Sequence, residues 1–159
     1  MNDTNQYQEQ IKVWTGYTHY LLAVDGLLLT TMGICKKKVK ASDFKKVSGV
    51  ITSVHIALQG VDKEFIDGIK DMEAGKKPTH TFDPSPIPDW PTEPSSASIF
   101  LGAWESIQGV LENLMSKTKS DSAMAVALAG LINSGTACVE ELEKAFSKKQ
   151  EKQVEALTD

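Results

Sequence analysis

The side chains best suited by type to acid–base chemistry in this chain are Asp25 and His55. Asp25 is the one permanently charged residue in the apolar stretch 13–35, and a carboxylate on an apolar helix face needs a polar partner. If the chain turns back shortly after this stretch, position i faces roughly position 77 minus i, which brings Asp25 near Thr52, Ser53 and His55. We therefore expect a buried polar pair, Asp25–His55 or Asp25–Thr52.

Such a pair permits two interpretations. A satisfied hydrogen bond between two packed helices is the one we favour, because buried polar groups in proteins are normally paired. The alternative is a proton-transfer site, which would make the chain a small-ligand or enzymatic bundle that uses Asp25 and His55. Function therefore depends on what surrounds the pair.

Other catalytic and metal-binding patterns are missing from the sequence. The di-iron carboxylate bundles need Glu-x-x-His motifs, and none occurs here, while the three histidines are scattered. There is no G-x-S-x-G elbow, no phosphate-binding glycine loop and no dinucleotide fingerprint. We predict no catalytic residues, no metal and no cofactor, and a protein that is not an enzyme.

Composition excludes further classes. The chain has 159 residues, 41% of them hydrophobic and 24% charged, which is typical of one globular domain that needs no disulfide or metal. A net charge of -4 argues against binding to nucleic acid. All 17 basic residues are lysines, so no arginine is present to grip phosphate.

Cysteine usage and the N-terminus bear on location. Cys35 and Cys138 lie in apolar surroundings without C-x-x-C spacing, which favours two reduced core residues. The first ten residues are polar and lack the basic and apolar regions of a secretory signal. We expect a cytoplasmic protein, although non-classical secretion stays open.

The elements that must position these residues are helices, because apolar residues recur at alternating steps of three and four. Four such segments are predicted, at about residues 5–34, 43–74, 96–116 and 121–148. Leu22 widens the apolar face of the first, together with Tyr20 and Leu27, so we expect that face to be buried between several neighbours. Ser42 is the expected N-cap of the second. The pattern indicates an all-α four-helix bundle.

All six prolines fall between Pro78 and Pro94, in a predicted irregular strap at 76–95. The strap would join two long antiparallel helical hairpins within one domain, 1–159, that ends in a solvated tail at 149–159. An extended strap of this length can reach on the order of 60 Å, so it permits both a simple up-down connection and a crossover.

The strap also carries the candidate partner-binding residues Ile87, Pro88, Trp90 and Pro91. Prolines at every third position line one face of a polyproline II helix, with Trp90 beside them. Proline-recognition ligands usually add a basic flank, whereas this segment is acidic, so packing of the strap on the bundle is the favoured interpretation.

By exclusion, we expect a non-catalytic protein-binding module whose partner is another protein or a second copy, in the manner of an immunity protein, a secretion chaperone or a secretion-system component. The first alternative is a membrane-active or lipid-binding bundle that inserts Val13–Cys35, which is long and apolar and is followed by lysines. Asp25 opposes this alternative, because a central carboxylate costs about 2.5–3.5 kcal/mol on insertion scales.

Overall fold

The computed structural model describes residues 6–82 and 99–158, with side chains described for 6–82 and 100–146. It confirms that the protein is all-α, and the described residues contain no strand. Its four helices are α1 (Gln8–Lys38), α2 (Ala41–Glu73), α3 (Ile99–Ser116) and α4 (Ala123–Thr158).

The three-and-four spacing explains why these segments are helical and which side of each is buried. In α2 the buried residues follow the spacing along the whole helix: Val47, Ile51, Val54, Leu58, Val61, Phe65 and Met72. Gly68 fills the remaining position of this seam. A continuous apolar stripe of this kind holds a long helix against its neighbours, because burial stabilises it more than helix propensity does.

The α1–α2 turn is tighter than the sequence suggests. α1 continues through the three lysines of its last turn, which are favourable next to the helix C-terminus, and ends at Lys38. Only Val39 and Lys40 then separate the helices. Because Lys40 is the N-cap of α2 and no side chain caps it, the expectation for Ser42 is wrong.

Helix α4 also differs at both ends from the sequence expectation. Its N-cap is Ser122, whose hydroxyl accepts a hydrogen bond from the Ala125 N–H at 3.1 Å, so the helix begins two residues after the predicted start at 121. At the other end the helical backbone continues to Thr158, ten residues past the predicted limit at 148.

Each helix packs on particular neighbours. α2 lies against both α1 and α4, α3 lies against α4, and α1 makes a smaller contact with α3. α1 and α4 do not come within 8 Å of one another, measured between Cα atoms. Cys35 on α1 and Cys138 on α4 are both buried, and this separation is too large for a disulfide between them. Burial raises the pKa of both thiols, that of Cys138 to about 12.

In two of these helix contacts, a tryptophan side chain of one helix packs on a glycine of the other. The indole of Trp14 on α1 covers Gly68 on α2, and the indole of Trp104 on α3 covers Gly135 on α4. At both glycines a methyl group would overlap the indole ring. Glycine is therefore required at these two seam positions because the facing side chain is an indole.

After α2 the chain turns sharply and packs against the helices. Gly75 adopts a left-handed conformation with φ 82°, and the Lys76 N–H donates to the Asp71 carbonyl at 2.9 Å, which is a Schellman motif. Phe82, seven residues later, is buried against α1 and α2. The first part of the predicted strap, residues 76–82, thus packs on the helices.

Candidate interaction groove on α1 and α2

The structure brings Asp25 and His55 together. His55 Nδ1 lies 2.5 Å from Asp25 Oδ1, at a register in which the two residue numbers sum to 80 instead of the expected 77 or so. An ionised carboxylate can only accept, so we assign a proton to Nδ1 of His55 as the donor of this bond. The pair therefore links the middle of α1 to the middle of α2.

This pair is not buried in the core. The side chain of Asp25 is 17% exposed and that of His55 is 37% exposed, whereas the core seams of both helices are fully covered. Thr52 is exposed, and the Ser53 hydroxyl donates within its own helix to the Gly49 carbonyl. No group of three metal-ligating side chains occurs in the described part of the chain. The geometry amounts to one hydrogen bond at a surface.

The pair belongs to a surface that we call the outer α1–α2 face. On α1 this face follows Thr18, Leu22, Asp25 and Leu29, and on α2 it follows His55, Asp62, Ile66 and Ile69. Steps of three and four residues separate most of these positions, so each set lines one side of its helix beside the buried seam. The face is therefore a second stripe that runs along both helices.

Between its two rows of side chains, toward the N-terminus of α1, the outer α1–α2 face forms an open groove of about 390 Å³. Its residues are Thr18, His19, Leu22, Asp62, Ile66, Ile69, Lys70 and Glu73. Aliphatic side chains form much of the surface, with charged residues among and beside them. This composition is typical of a groove that accepts an amphipathic element.

Large aliphatic residues on this face are unusually accessible. Leu22 is 69% exposed and Leu29 is 63% exposed, and Ile66 on α2 is exposed as well. The expected burial of the whole wide face of α1 is correct for Tyr20 and Leu27 but wrong for Leu22. Its neighbours cover α1 on one flank only. Sequence reasoning missed this groove because an exposed stripe and a buried stripe have the same spacing.

Asp62 is the carboxylate within the groove. It is half-buried, and burial raises its pKa above the ordinary aspartate value. No hydrogen bond or ion pair joins it to any other residue in the described ranges 6–82 and 99–158. A partly desolvated carboxylate without a partner is a natural position for a cation supplied from outside.

A second, smaller cavity of about 170 Å³ lies where the C-terminal end of α2 meets residues 77–80 and the first turn of α4. His80 lines it and is buried, and its pKa is lowered by burial and by the positive charge of Lys119. Its other charged lining residues are Glu64, Asp67, Asp71 and Lys77. The cavity is narrow, and its surroundings are the structural contacts of the strap.

Next to this cavity, Gln10 holds the strap. Its side chain donates to the Phe82 carbonyl at 3.0 Å and accepts from the Phe82 N–H at 2.9 Å. The same amide oxygen accepts from the Trp14 indole at 3.1 Å. The Trp14, Tyr17 and Phe65 rings surround Phe82 with centroids 5.4–5.9 Å away. This end of the molecule is therefore built for packing.

The predicted partner-binding residues Ile87, Pro88, Trp90 and Pro91 lie outside the described residues, so the structure places none of them. No known protein family matches the chain, and neither does any curated protein or solved structure.

Proposed function

We propose that this protein is a non-catalytic helical-bundle protein-binding module that uses the outer α1–α2 face. The observation that carries the proposal is the exposure of Leu22, which lines a groove, and of Leu29 on the same face. Covering a leucine side chain is worth about 1.5–3 kcal/mol, so a partner that covers both would gain several kcal/mol. Exposed apolar surface of this kind commonly marks an interaction site.

The scaffold that we propose for this face is a four-helix bundle of two antiparallel hairpins. The α1–α2 contacts Trp14–Gly68 and Asp25–His55 have residue numbers that sum to 82 and 80, as an antiparallel pair requires. Trp104 on Gly135 pairs α3 with α4 across a loop of six residues, 117–122. The small cavity puts the start of α4 beside the end of α2.

Within this class, an immunity protein, a secretion chaperone and a secretion-system component all work by presenting a helix face to another protein. The partner is another protein or a second copy of this chain. The net charge of -4 favours these over nucleic acid. A cytoplasmic location remains our expectation.

The test is a pull-down from the native host with the double variant Leu22→Glu, Leu29→Glu. We expect a stoichiometric partner to be captured by the wild type and lost with the variant. Val126→Glu is the matched control, because Val126 is 66% exposed on α4, away from the face. Equal capture by the double variant and the wild type, with unchanged melting temperatures, would disprove the use of this face.

A second candidate function is a membrane-active bundle, and one observation favours it. Two helical segments, Gln8–Lys38 and Ala123–Phe146, are long and apolar enough to cross a membrane. Core helices of a bundle meet the same criterion, and Tyr17, Leu21 and Leu28 of the first segment are buried. Flotation with anionic liposomes at neutral and acidic pH tests this function, and protein that stays at the bottom at both pH values contradicts it.

A further inference from the structure

We propose that the groove on the outer α1–α2 face binds an amphipathic helix whose apolar face carries a lysine or arginine, and that this cation pairs with Asp62. The inference rests on the proposed protein-binding function and adds the chemistry of the partner. It depends on three properties of the groove: its shape, its apolar residues and its unpaired carboxylate.

The shape suits a helix. α1 and α2 lie side by side, and the groove is lined by Thr18, His19 and Leu22 on α1 and by residues between Asp62 and Glu73 on α2. Asp62 and Glu73 are eleven residues apart on α2, roughly 17 Å, which is about three helical turns. A partner helix of this length can set residues at i, i+3 or i+4, and i+7 against Leu22, Ile66 and Ile69.

Asp62 decides which helix is accepted. A helix that covers the groove removes the remaining water from this carboxylate, and no residue in the described ranges forms a hydrogen bond or an ion pair with it. A lysine or arginine at the facing position supplies the missing partner, whereas a neutral helix leaves the charge buried and a glutamate repels it. The groove thus selects a basic helix partly by penalising the alternatives.

The charges around Asp62 favour a basic partner over a second copy of this chain. Among the residues that line the groove, Glu73 adds a second carboxylate to that of Asp62, and the other titratable groups are the ammonium of Lys70 and the imidazole of His19. A second copy that docked through the same face would bring a second set of these carboxylates.

The experiment measures binding of two synthetic peptides to the full chain by fluorescence anisotropy. Both peptides are amphipathic helices of about 18 residues with leucines at steps of three and four. One has lysine at the centre of its apolar edge, and the other has glutamate there. We expect the wild type to bind the lysine peptide about fivefold more tightly, and Leu22→Glu to weaken both.

Asp62 variants give the decisive comparison. Asp62→Asn should make the affinities for the two peptides about equal, and Asp62→Lys should reverse the preference in favour of the glutamate peptide. Asp121→Lys, an exposed charge change in the α3–α4 loop, is the control and should keep the wild-type preference. Melting temperatures check folding, and Asp62→Asn should be at least as stable as the wild type because it removes a desolvated charge.

The outcomes separate this inference from the proposed function. Equal affinities for the two peptides, or a preference that survives in Asp62→Asn, overturn the basic-helix inference even if host capture still depends on Leu22. Leu22-dependent dimers in light scattering overturn it as well and identify a second copy as the occupant. If host capture and both peptides are indifferent to Leu22→Glu, the proposed use of the face fails too.

Discussion

The α1–α2 and α3–α4 helix pairs use the same packing device and differ in what they leave exposed. In each pair a tryptophan of the first helix sits on a glycine of the second, Trp14 on Gly68 and Trp104 on Gly135. Leu22 and Leu29 are exposed on α1, whereas Val126 is the one large hydrophobic residue exposed among the described side chains of α3 and α4. Helix packing thus explains what the pairs share, and the exposed apolar surface of the first pair points to a partner.

The surroundings of the two tryptophans differ as well. Trp14 packs edge-on against Phe65 and hydrogen-bonds to Gln10, which also holds the strap at Phe82. Trp104 has a tilted contact with Phe100 at 5.5 Å on its own helix. The first pair therefore depends on a segment outside its two helices, and the predictions below test how far.

The largest effect is expected from Gly135→Ala and Gly68→Ala. In each variant the new methyl group overlaps an indole, so we expect a loss of about 2–3 kcal/mol in the free energy of unfolding. Thermal denaturation should show a drop of roughly 4–12 °C in melting temperature.

The matched controls for these variants are Gly130→Ala on α4 and Gly60→Ala on α2. Both glycines have open space where the methyl group would go, so helix propensity should raise stability by up to about 1 kcal/mol. If Gly135→Ala were as stable as Gly130→Ala, the packing device that the two pairs share would be disproved.

A smaller loss is expected for Gln10→Ala, which should affect only the first pair. The change removes three hydrogen bonds that join α1, the strap and Trp14, so we expect a cost of about 1–2 kcal/mol by denaturant unfolding. Gln108→Ala removes an exposed bond to Glu112 and should cost a few tenths of a kcal/mol at most. Equal effects would mean that the strap contributes nothing to the first pair.

The stability of the strap end should depend on pH through His80. Burial and the charge of Lys119 lower its pKa in the folded state, so the unfolded chain takes up the proton first as pH falls. This contribution to stability is complete above the ordinary value of 6.5 and is lost as pH falls through the lowered folded pKa.

Melting temperatures between pH 7.5 and pH 5 check the dependence on His80. We expect the free energy of unfolding of the wild type to fall more over this range than that of His80→Gln, by up to about 1 kcal/mol. Lys119→Gln removes the repulsive charge and should make the stability less dependent on pH. His19→Gln changes an exposed position and should leave the pH dependence of the wild type unchanged. The same slope in the wild type and His80→Gln would assign the pH dependence to other groups.

The smallest effect is expected for Asp25→Asn on the outer α1–α2 face. The pair is part-exposed, so loss of its charge should lower stability by about 0.5–1 kcal/mol and leave biological activity intact. Host-partner capture and melting temperature measure the two properties together. Lost capture at an unchanged melting temperature would contradict a purely structural role for the Asp25–His55 pair.

Particular residues show how much of the fold and of the groove could be predicted from the sequence. The α2 seam was predictable from Val47 to Met72, because steps of three and four residues bury one side of any helix. Contact between Asp25 and His55 was predictable from a short turn alone. The observed register differs from the predicted one by about three residues, because α1 ends at Lys38 and α2 begins at Ala41. The groove could not be predicted, since Leu22 and Tyr20 are both apolar and differ only in which has a neighbour.

The sequence by itself determined that the chain is helical, which side of each helix carries the buried seam and that α2 ends near residue 74, because periodicity and backbone freedom are local properties. Only the tertiary structure decided that Gly68 and Gly135 receive indoles, that α1 is covered on one flank and that Asp62 stays unpaired within a groove. These facts depend on which helices are neighbours and on the register between them. Contacts between residues distant in the chain determine the neighbours and the register.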